Sequence, residues 1–471
     1  MVFSSHIFLF YFLPASLLLY YSMPKRAKNV LLTCVSYIFY GWSNPLFTVL
    51  MFGSTLVDYV CGLVIGTASD DKASRRKIAL FVSIVSNLSL LGFFKYTGFV
   101  LESYNQLFVL LGVDGAEPVH VLKFLLPLGI SFYTFQSMSY TIDVYRRDGK
   151  HIRSFLDFAC FVSMFPQLVA GPIIRFQEVA EQLASRVHSL EKFSRGVAFF
   201  SMGMAKKVLL ANSCGKIADM AFASGHLSVV DSWYGIVAYS FQIYFDFSGY
   251  SDMAIGLGLM FGFVFAKNFD SPYISASITE FWRRWHISLS TWLREYLYIP
   301  LGGNRNGATR TAINLAIVML LGGLWHGASW NFVIWGGIHG LLLGSERMLG
   351  KKPFYHALPK ILRIATTFIL VLIAWVFFRA ETFSLALSYL GSMFGLIAVP
   401  ESSRILGGLL YTPYHLLAMG IAAVVVWRMP QTWDYTKRLT AVKVASIVLL
   451  FIVSVAVLSM QSYNPFIYFN F

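Results

Sequence analysis

Apolar runs long enough to cross a membrane follow one another along almost the whole chain, and they limit the possible folds more than any motif. Runs of about 17 to 25 apolar residues cross the hydrocarbon core as a helix, and such runs extend from Phe8 to Leu458. Because 57% of residues are hydrophobic and only 13% are charged, a soluble globule is excluded. We predict an all-α polytopic membrane protein with about eleven to thirteen transmembrane or re-entrant helices, since a long run can be one tilted helix or a broken pair.

The apolar runs leave no room for a soluble domain, so we expect a single membrane domain over 1–471. The first run, Ile7–Tyr21, has no basic segment before it and no small-residue cleavage site after it. It therefore predicts a retained helix rather than a signal peptide.

The basic residues lie between the apolar runs, although the net charge of +14 would also suit a nucleic-acid-binding protein. The clusters are Lys25, Arg26 and Lys28; Lys72, Arg75, Arg76 and Lys77; and Arg146, Arg147, Lys150 and Arg153. By the positive-inside rule they place the N-terminus outside and these loops in the cytoplasm. The charges thus predict topology and contacts with anionic membrane lipids, and no nucleic-acid partner.

Cysteine spacing gives no sign of a disulfide or metal framework. The four cysteines are Cys34, Cys61, Cys160 and Cys214. They lack CxxC spacing and lie mostly within apolar runs, so we expect no metal site.

The middle third contains apolar segments interrupted by Pro, Gly and polar residues. These segments are Pro127–Asp148, Phe165–Arg175 and Phe241–Gly258. Irregular backbone at membrane depth requires protein or a water-filled cavity around it. The polar cluster Asp246, Ser248, Tyr250, Ser251 and Asp252 predicts a cavity lining, with helix packing through small residues as the alternative.

A charged aromatic stretch precedes the most unusual apolar run. Asn268–Arg310 is too polar to span a membrane. Its aromatic and basic residues are Trp282, Arg283, Arg284, Trp285, Trp292 and Arg294. This composition predicts an amphipathic interfacial helix on the cytoplasmic side, and His286 lies within it.

His326 lies in the middle of the apolar run Thr311–Gly344. Basic residues flank the run on both sides, which predicts that both ends are cytoplasmic. The run would then form two limbs of roughly 17 residues each, near the minimum for a span. We expect the break at Gly322, Gly323 and Gly327, which would present His326 at depth; a single tilted helix is the alternative.

An ionisable side chain at bilayer depth points to function. Burial disfavours the charged imidazole, so His326 is expected to be neutral and able to act as a general base for a hydroxyl nucleophile. Trp325, Asn331, His286 and the nearby arginines have the donor groups that an oxyanion needs. The sequence has no GxSxG or GxxxxGK motif, which favours direct transfer. Alternatively, His326 only bonds a carbonyl between helices, and His286 is a satisfied packing residue.

These residues carry a resemblance. The sequence WHG (Trp325–Gly327) follows FWRRWHISLSTWLREYLYIPLGG, with FQIYFDFSGYSDMAIGLG upstream and MVFSSHIFLFYFLP at the start. Over nearly its full length the chain resembles the membrane-bound O-acyltransferase (MBOAT) family, and within it the bacterial branch typified by the membrane acetylase of alginate biosynthesis.

The resemblance implies a ring of helices around a thin central region, with a funnel from each side. It implies a catalytic core over about 123–345, N-terminal helices over 5–112 and C-terminal helices over 360–460. His326 would be the essential catalytic residue, and His286 would occupy the family's second position. The donor would be acetyl-CoA or another acyl thioester, with no bound cofactor. Partners would be periplasmic or membrane-anchored acetyltransferases that modify an exopolysaccharide, and the location would be the bacterial inner membrane.

Basic side chains suit such a donor because its phosphates are anionic. We expect Arg283, Arg284 and Arg294 to contact the phosphates. Other candidate substrate contacts are Trp325, Asn331, Asp246 and Ser248. Alternative functions are D-alanyl or other acyl transfer to a cell-wall polymer, a transporter or channel subunit, and a structural subunit of a secretion complex, which would leave His326 unexplained.

Overall fold

The computed structural model describes residues 1–42, 44–112, 119, 125–225, 227–399, 403–461 and 463–467. Helices make up the regular secondary structure in these ranges, and no β-strand occurs in them. The predicted all-α class is therefore confirmed.

The N-terminal part contains long helices joined by short turns. They are a π-helical turn (Phe8–Phe12), α1 (Leu13–Ser22), α2 (Lys28–Gly41), α3 (Pro45–Thr67) and α4 (Ala73–Leu110), with 3-10 turns at Lys25–Ala27 and Asp70–Lys72. The start of α3 shows the local code: the Asn44 side chain accepts a hydrogen bond from the Leu46 N–H at 3.0 Å, and Pro45 occupies the first helical position. Both features are typical of a helix N-terminus.

The central part alternates long helices with short ones. They are α5 (Ile130–Arg146), α6 (Phe155–Ser163), α7 (Phe165–Leu168), α8 (Phe176–Ala184), α9 (Leu190–Ala205), α10 (Asn212–Ala223), α11 (Val229–Met260), α12 (Ile278–Arg284), α13 (Ile287–Leu293), α14 (Gly307–His326) and α15 (Trp330–Met348). Further turns lie at Lys206–Ala211, Pro272–Ile274 and Arg294–Tyr298.

The C-terminal part completes the helical bundle. Its helices are α16 (Lys360–Arg379), α17 (Phe383–Met393), α18 (Ser403–Leu410), α19 (Pro413–Arg428), α20 (Thr432–Tyr435) and α21 (Ala441–Met460). After α21 the chain folds back into the protein, where the Ile467 N–H donates to Asp246 Oδ2 at 2.8 Å.

Five helices in the described ranges are long and apolar enough to span a membrane. They are α3, α4, α14, α16 and α21. The other helices are shorter or carry more polar residues, so the total of eleven to thirteen crossings stays a prediction. A polytopic membrane protein accounts for these helices and for the many large apolar side chains exposed on the surface.

The prediction that Phe241–Gly258 forms an interrupted helix is wrong. The segment lies inside α11, one continuous helix of 32 residues that is buried over most of its length. Gly249 and Gly256 lie directly against α9: a Cβ atom on Gly256 would lie 2.6 Å from the Gly196 carbonyl oxygen. The two backbones touch through small residues, the usual route to close helix packing in membranes. Neighbouring helices thus shield the polar residues of α11 without a break.

Of the other two interrupted segments, one matches its prediction. Phe165–Arg175 contains the short helix α7 and then non-helical chain up to Phe176. In Pro127–Asp148 the irregular part is confined to the start, where Gly129 has φ +72°, and α5 then continues to Arg146. Gly129 adopts the left-handed conformation at no steric cost.

Candidate active site

Helices α14 and α15 form an antiparallel hairpin whose turn follows His326 directly. The predicted division of Thr311–Gly344 into two limbs is therefore confirmed, and the single tilted helix is excluded. The limbs pack backbone to backbone, because a Cβ atom on Gly323 or Gly336 would overlap a carbonyl oxygen of the facing limb. At the turn, a Cβ atom on Gly327 would overlap the Phe332 ring. Glycine is required at these positions for space.

The His326 side chain is enclosed by aromatic rings. Its exposed fraction is 3%. Ring-centroid distances are 5.0 Å to Trp325, 5.2 Å to Trp335 and 5.3 Å to Phe378, all with edge-to-face geometry. Such contacts hold the imidazole in a fixed plane while leaving it within reach of adjacent cavities.

Two side chains of α4 cap the helix end that carries His326. Tyr96 Oη donates to the Leu324 carbonyl at 2.8 Å. Lys95 Nζ donates to the carbonyls of Trp325 at 2.5 Å and of His326 at 3.3 Å. Sequence reasoning missed Lys95, although a lysine in the middle of the apolar stretch LLGFFKYTGF is the same kind of signal that identified His326.

His286 lies at the buried junction between α12 and α13. It has a positive φ of +43° and no exposed surface. Its Nδ1 lies 3.2 Å from Asn268 Oδ1, and in the described part of the chain Nε2 has no hydrogen-bond partner. The stretch expected to form an amphipathic interfacial helix therefore forms two helices instead of one. The left-handed residue breaks the stretch into two short helices and brings His286 and its neighbour Trp285 inside.

The two histidines contact the same indole ring. The Trp325 ring centroid lies 5.0 Å from that of His326 and 6.1 Å from that of His286. The buried Trp325 Nε1 has no hydrogen-bond partner within the described ranges. The structure thus brings together the histidine pair and one of the predicted donors.

A buried carboxylate positions the segment that carries His286. Glu346, near the end of α15, accepts from the backbone N–H groups of Ile278 at 2.8 Å and Thr279 at 3.0 Å. These groups belong to the unpaired N–H set at the start of α12. The hairpin therefore fixes the place of α12 and α13 relative to His326.

Two large cavities border the hairpin, one lined by His326 itself and the other by the residues that follow it. The first, called the basic cavity, has about 400 Å³ and is lined by Arg283, Arg294, Trp282, Trp335 and His326 among others. The second, called the turn cavity, has about 690 Å³ and is lined by the turn residues Gly327, Ala328 and Ser329 together with Lys95, Asp219, Arg379 and Glu381 among others. A small cavity of about 50 Å³ is lined by Lys95, Trp325 and His326 among others. It shares Lys95 with the turn cavity and His326 with the basic cavity.

The predicted arginine contacts separate into two groups. Arg283 and Arg294 line the basic cavity. Arg284 instead forms an ion pair with Glu280 at 3.0 Å and donates to the Asp270 carbonyl at 3.0 Å. Arg284 therefore has local structural partners.

Three other predicted substrate contacts, Asn331, Asp246 and Ser248, do not line these cavities. Asn331 Nδ2 donates to the Ala380 carbonyl at 2.7 Å and so ties α15 to the end of α16. Asp246 forms a buried ion pair with Lys207 at 2.7 Å. Ser248 lines a separate small cavity of about 10 Å³, together with Ser251 and Asp252. The predicted cavity lining thus holds for part of the polar cluster.

A third histidine was absent from the prediction. His339 of α15 is fully buried, accepts a hydrogen bond from Trp282 Nε1 at 3.2 Å and contacts the Trp335 ring. His339 thus packs against Trp282 and Trp335, two aromatic residues that line the basic cavity.

In the described ranges no group of three or more His, Cys, Asp or Glu side chains could hold a metal ion.

Comparison with known proteins agrees with this arrangement. The model of the membrane-bound O-acyltransferase family matches residues 145–388. The chain is 46% identical to the "Probable alginate O-acetylase AlgI" of Pseudomonas putida over the full length of both chains. It is 39% identical to the "Peptidoglycan O-acetyltransferase" of Helicobacter pylori, over 85% of this chain and 81% of that protein.

A more distant relative is the "Teichoic acid D-alanyltransferase" of Streptococcus thermophilus, 31% identical over 48% of this chain and 58% of that protein. The family match covers both histidines, the hairpin and the arginines of the basic cavity. The expected resemblance is confirmed: this chain is an O-acyltransferase and belongs to the membrane-bound O-acyltransferase family.

Proposed function

We propose that this protein moves an acetyl group from acetyl-CoA in the cytoplasm to the far side of the bacterial inner membrane, for O-acetylation of an exported polysaccharide such as alginate. His326 is the general base. The observation that carries the proposal is the place of His326: its ring lines the basic cavity, and the residues that follow it line the turn cavity.

Charge supports the basic cavity as the donor side. Arg283 and Arg294 lie at its wall, and guanidinium groups suit phosphate oxygens. The basic residues that flank the α14–α15 hairpin support a cytoplasmic location for this side. Acetyl-CoA keeps its anionic nucleotide at the arginines, and only its thin pantetheine arm reaches His326. The acyl group thus crosses while the carrier stays on its own side.

The transfer step needs one base and a stabilised oxyanion. The acceptor hydroxyl oxygen attacks the thioester carbon, and its proton moves to the His326 imidazole. The tetrahedral intermediate collapses as the carbon–sulfur bond breaks, and the proton passes from His326 to the leaving thiolate. Trp325 Nε1 is the proposed donor, because the Trp325 ring contacts His326 and, like His286 Nε2, its Nε1 is buried and has no hydrogen-bond partner in the described ranges. His286, which contacts the same indole ring, supports the step.

The relatives favour a glycan as final acceptor. Two of them carry names of O-acetyl transfer, one to alginate and one to peptidoglycan. Periplasmic or membrane-anchored acetyltransferases receive the acetyl group in the turn cavity and pass it to the polymer. Transfer of D-alanyl or another acyl group is the second candidate, supported by the more distant D-alanyltransferase relative.

The catalytic unit needs all three parts of the chain, so we assign one membrane domain to 1–471. The proposed core over about 123–345 carries the histidines. Lys95 reaches the site from the N-terminal helices over 5–112, and Phe378 and Arg379 reach it from the C-terminal helices over 360–460.

The test is the O-acetyl content of secreted polysaccharide in a deletion strain complemented with wild type, His326→Ala or His286→Ala. We expect His326→Ala to abolish acetylation at normal membrane abundance, and His286→Ala to reduce it. Acetylation that survives His326→Ala would contradict the role of His326 as the base and favour the alternative that the protein is a transporter subunit. Feeding labelled acetyl and D-alanyl donors to membranes separates the two acyl candidates, because only one label will reach polymer.

A further inference from the structure

We infer that Lys95 is a positioning residue for acyl transfer: its ammonium group holds the last turn of α14 so that the His326 imidazole stays at the junction of the two cavities. The inference rests on the proposed role of His326 as base. Lys95 lies on α4, outside the 145–388 region that the family model matches.

Each of the last four backbone carbonyls of α14 accepts a hydrogen bond. The last four carbonyls of a helix lack partners within the helix. In α14 the Gly323 carbonyl accepts from the Gly327 N–H at 3.2 Å, and Tyr96 serves Leu324. Lys95 serves the remaining two, Trp325 and His326. Two of the last four carbonyls of the helix that carries His326 therefore depend on the Lys95 side chain for a hydrogen bond.

The charge of Lys95 has no carboxylate partner in the described part of the chain. Its acceptors are the two carbonyls and Ser131 Oγ at 3.5 Å. A lysine at membrane depth is costly, so its position requires compensation. The negative end of the helix dipole supplies it, because cations are favoured at helix C-termini. The ammonium and the helix end therefore stabilise each other.

Loss of this cap affects geometry more than donor binding. Lys95 lines the small cavity and the turn cavity but not the basic cavity. The basic-cavity arginines would keep their contacts with acetyl-CoA in its absence. A shift of the base by about 1 Å costs roughly 100-fold in rate. We therefore expect a fall in kcat with little change in KM for the donor.

The experiment measures turnover of radiolabelled acetyl-CoA by purified full-length variants in detergent. We expect Lys95→Met, which keeps the length and removes the charge, to lower kcat by roughly 10- to 100-fold with KM within about twofold. Lys95→Arg, which keeps a donor cation, should recover at least part of the loss. Lys77→Met is the matched control, because Lys77 is an exposed lysine of the same helix.

The outcomes separate this inference from the proposed function. If His326→Ala keeps its turnover, the proposed function fails. If His326→Ala is inactive but Lys95→Met keeps kcat within twofold of wild type, the positioning role alone is overturned. Equal losses in Lys95→Met and Lys95→Arg at normal thermal stability would also overturn it. Should Lys95→Met fail to fold, Lys95→Gln removes the charge but keeps a polar side chain, and an unchanged kcat there would contradict the inference.

Discussion

Arg283 and Arg284 are neighbours in the sequence with different surroundings in the fold. Arg283 lines the basic cavity, whereas Arg284 is paired with Glu280. Side chains of successive helical residues point about 100° apart, so only one of the two can face the cavity. The sequence predicted the same role for both residues, because two adjacent arginines do not show which of them faces the cavity.

This difference predicts opposite effects of two adjacent substitutions. Arg283→Ala removes the proposed phosphate contact and should raise KM for acetyl-CoA, the proposed donor, roughly ten-fold, the usual cost of a charge-assisted hydrogen bond. Arg284→Ala should leave KM within about twofold and slightly lower the thermal stability, because it breaks an ion pair. Initial-rate kinetics with both variants checks this, and a larger KM effect in Arg284→Ala would contradict the assignment.

The histidines could be predicted from single residues, but their supports could not. His326 stands out because an imidazole in an apolar run needs a reason. Lys95 carries the same signal, yet its partner, the end of α14, is more than two hundred residues away in the chain. Asn331 has the right chemistry for an oxyanion donor, but its amide is directed at the Ala380 carbonyl. Composition reveals a group and not the direction in which it points.

At the scale of elements, α14 and α15 can pack closely only because glycines without side chains lie where the two backbones touch. A Cβ atom on Gly336 would overlap the Met319 carbonyl oxygen. The next residue, Gly337, has only the Leu320 Cδ2 atom within reach, at 3.8 Å. The glycine pair GG therefore contains one position that requires glycine and one that does not.

The pair provides a matched test of the packing. Gly336→Ala should lower the free energy of unfolding by about 1–3 kcal/mol, the usual cost of overpacking. Gly337→Ala should be neutral or slightly stabilising, because alanine is the better helix former. Thermal unfolding of the two variants in the same detergent measures the difference. Equal destabilisation would mean that the limbs do not pack through Gly336.

The sequence predicted a helix boundary correctly where a residue within the boundary itself determines the turn. The expected break falls at Gly327, next to His326, whereas Gly322 and Gly323 lie inside α14 and the expectation of a break there was wrong. The polar cluster in α11 wrongly indicated a break, because the glycines of α9 that receive α11 lie elsewhere in the sequence. Tertiary packing decided whether the polar residues interrupted a helix or were covered by one.

At the scale of the whole molecule, the two cavities differ in charge and position. The basic cavity contains two arginines, while the turn cavity mixes Lys95 and Arg379 with Asp219 and Glu381. A highly anionic donor is attracted to the first and gains little from the second. Donor access should therefore be limited to one side of the membrane.

Oriented vesicles test this directionality. Labelled acetyl-CoA added outside should be consumed by inside-out vesicles, which expose the cytoplasmic face, and not by sealed right-side-out vesicles. Detergent permeabilisation of the second sample should restore turnover. Equal rates in the two sealed preparations would contradict the assignment of the basic cavity to the donor.

The glycine-packed hairpin also bears on how the protein is made. Helix α14 is apolar enough to enter a bilayer alone, whereas α15 is not among the helices that meet this criterion. Its Asn331, His339 and Glu346 are buried only once partner helices cover them. We therefore expect α15 to leave the translocation machinery during biosynthesis as a pair with α14. The contact that holds His326 in the mature enzyme is then also a requirement for inserting the nascent chain.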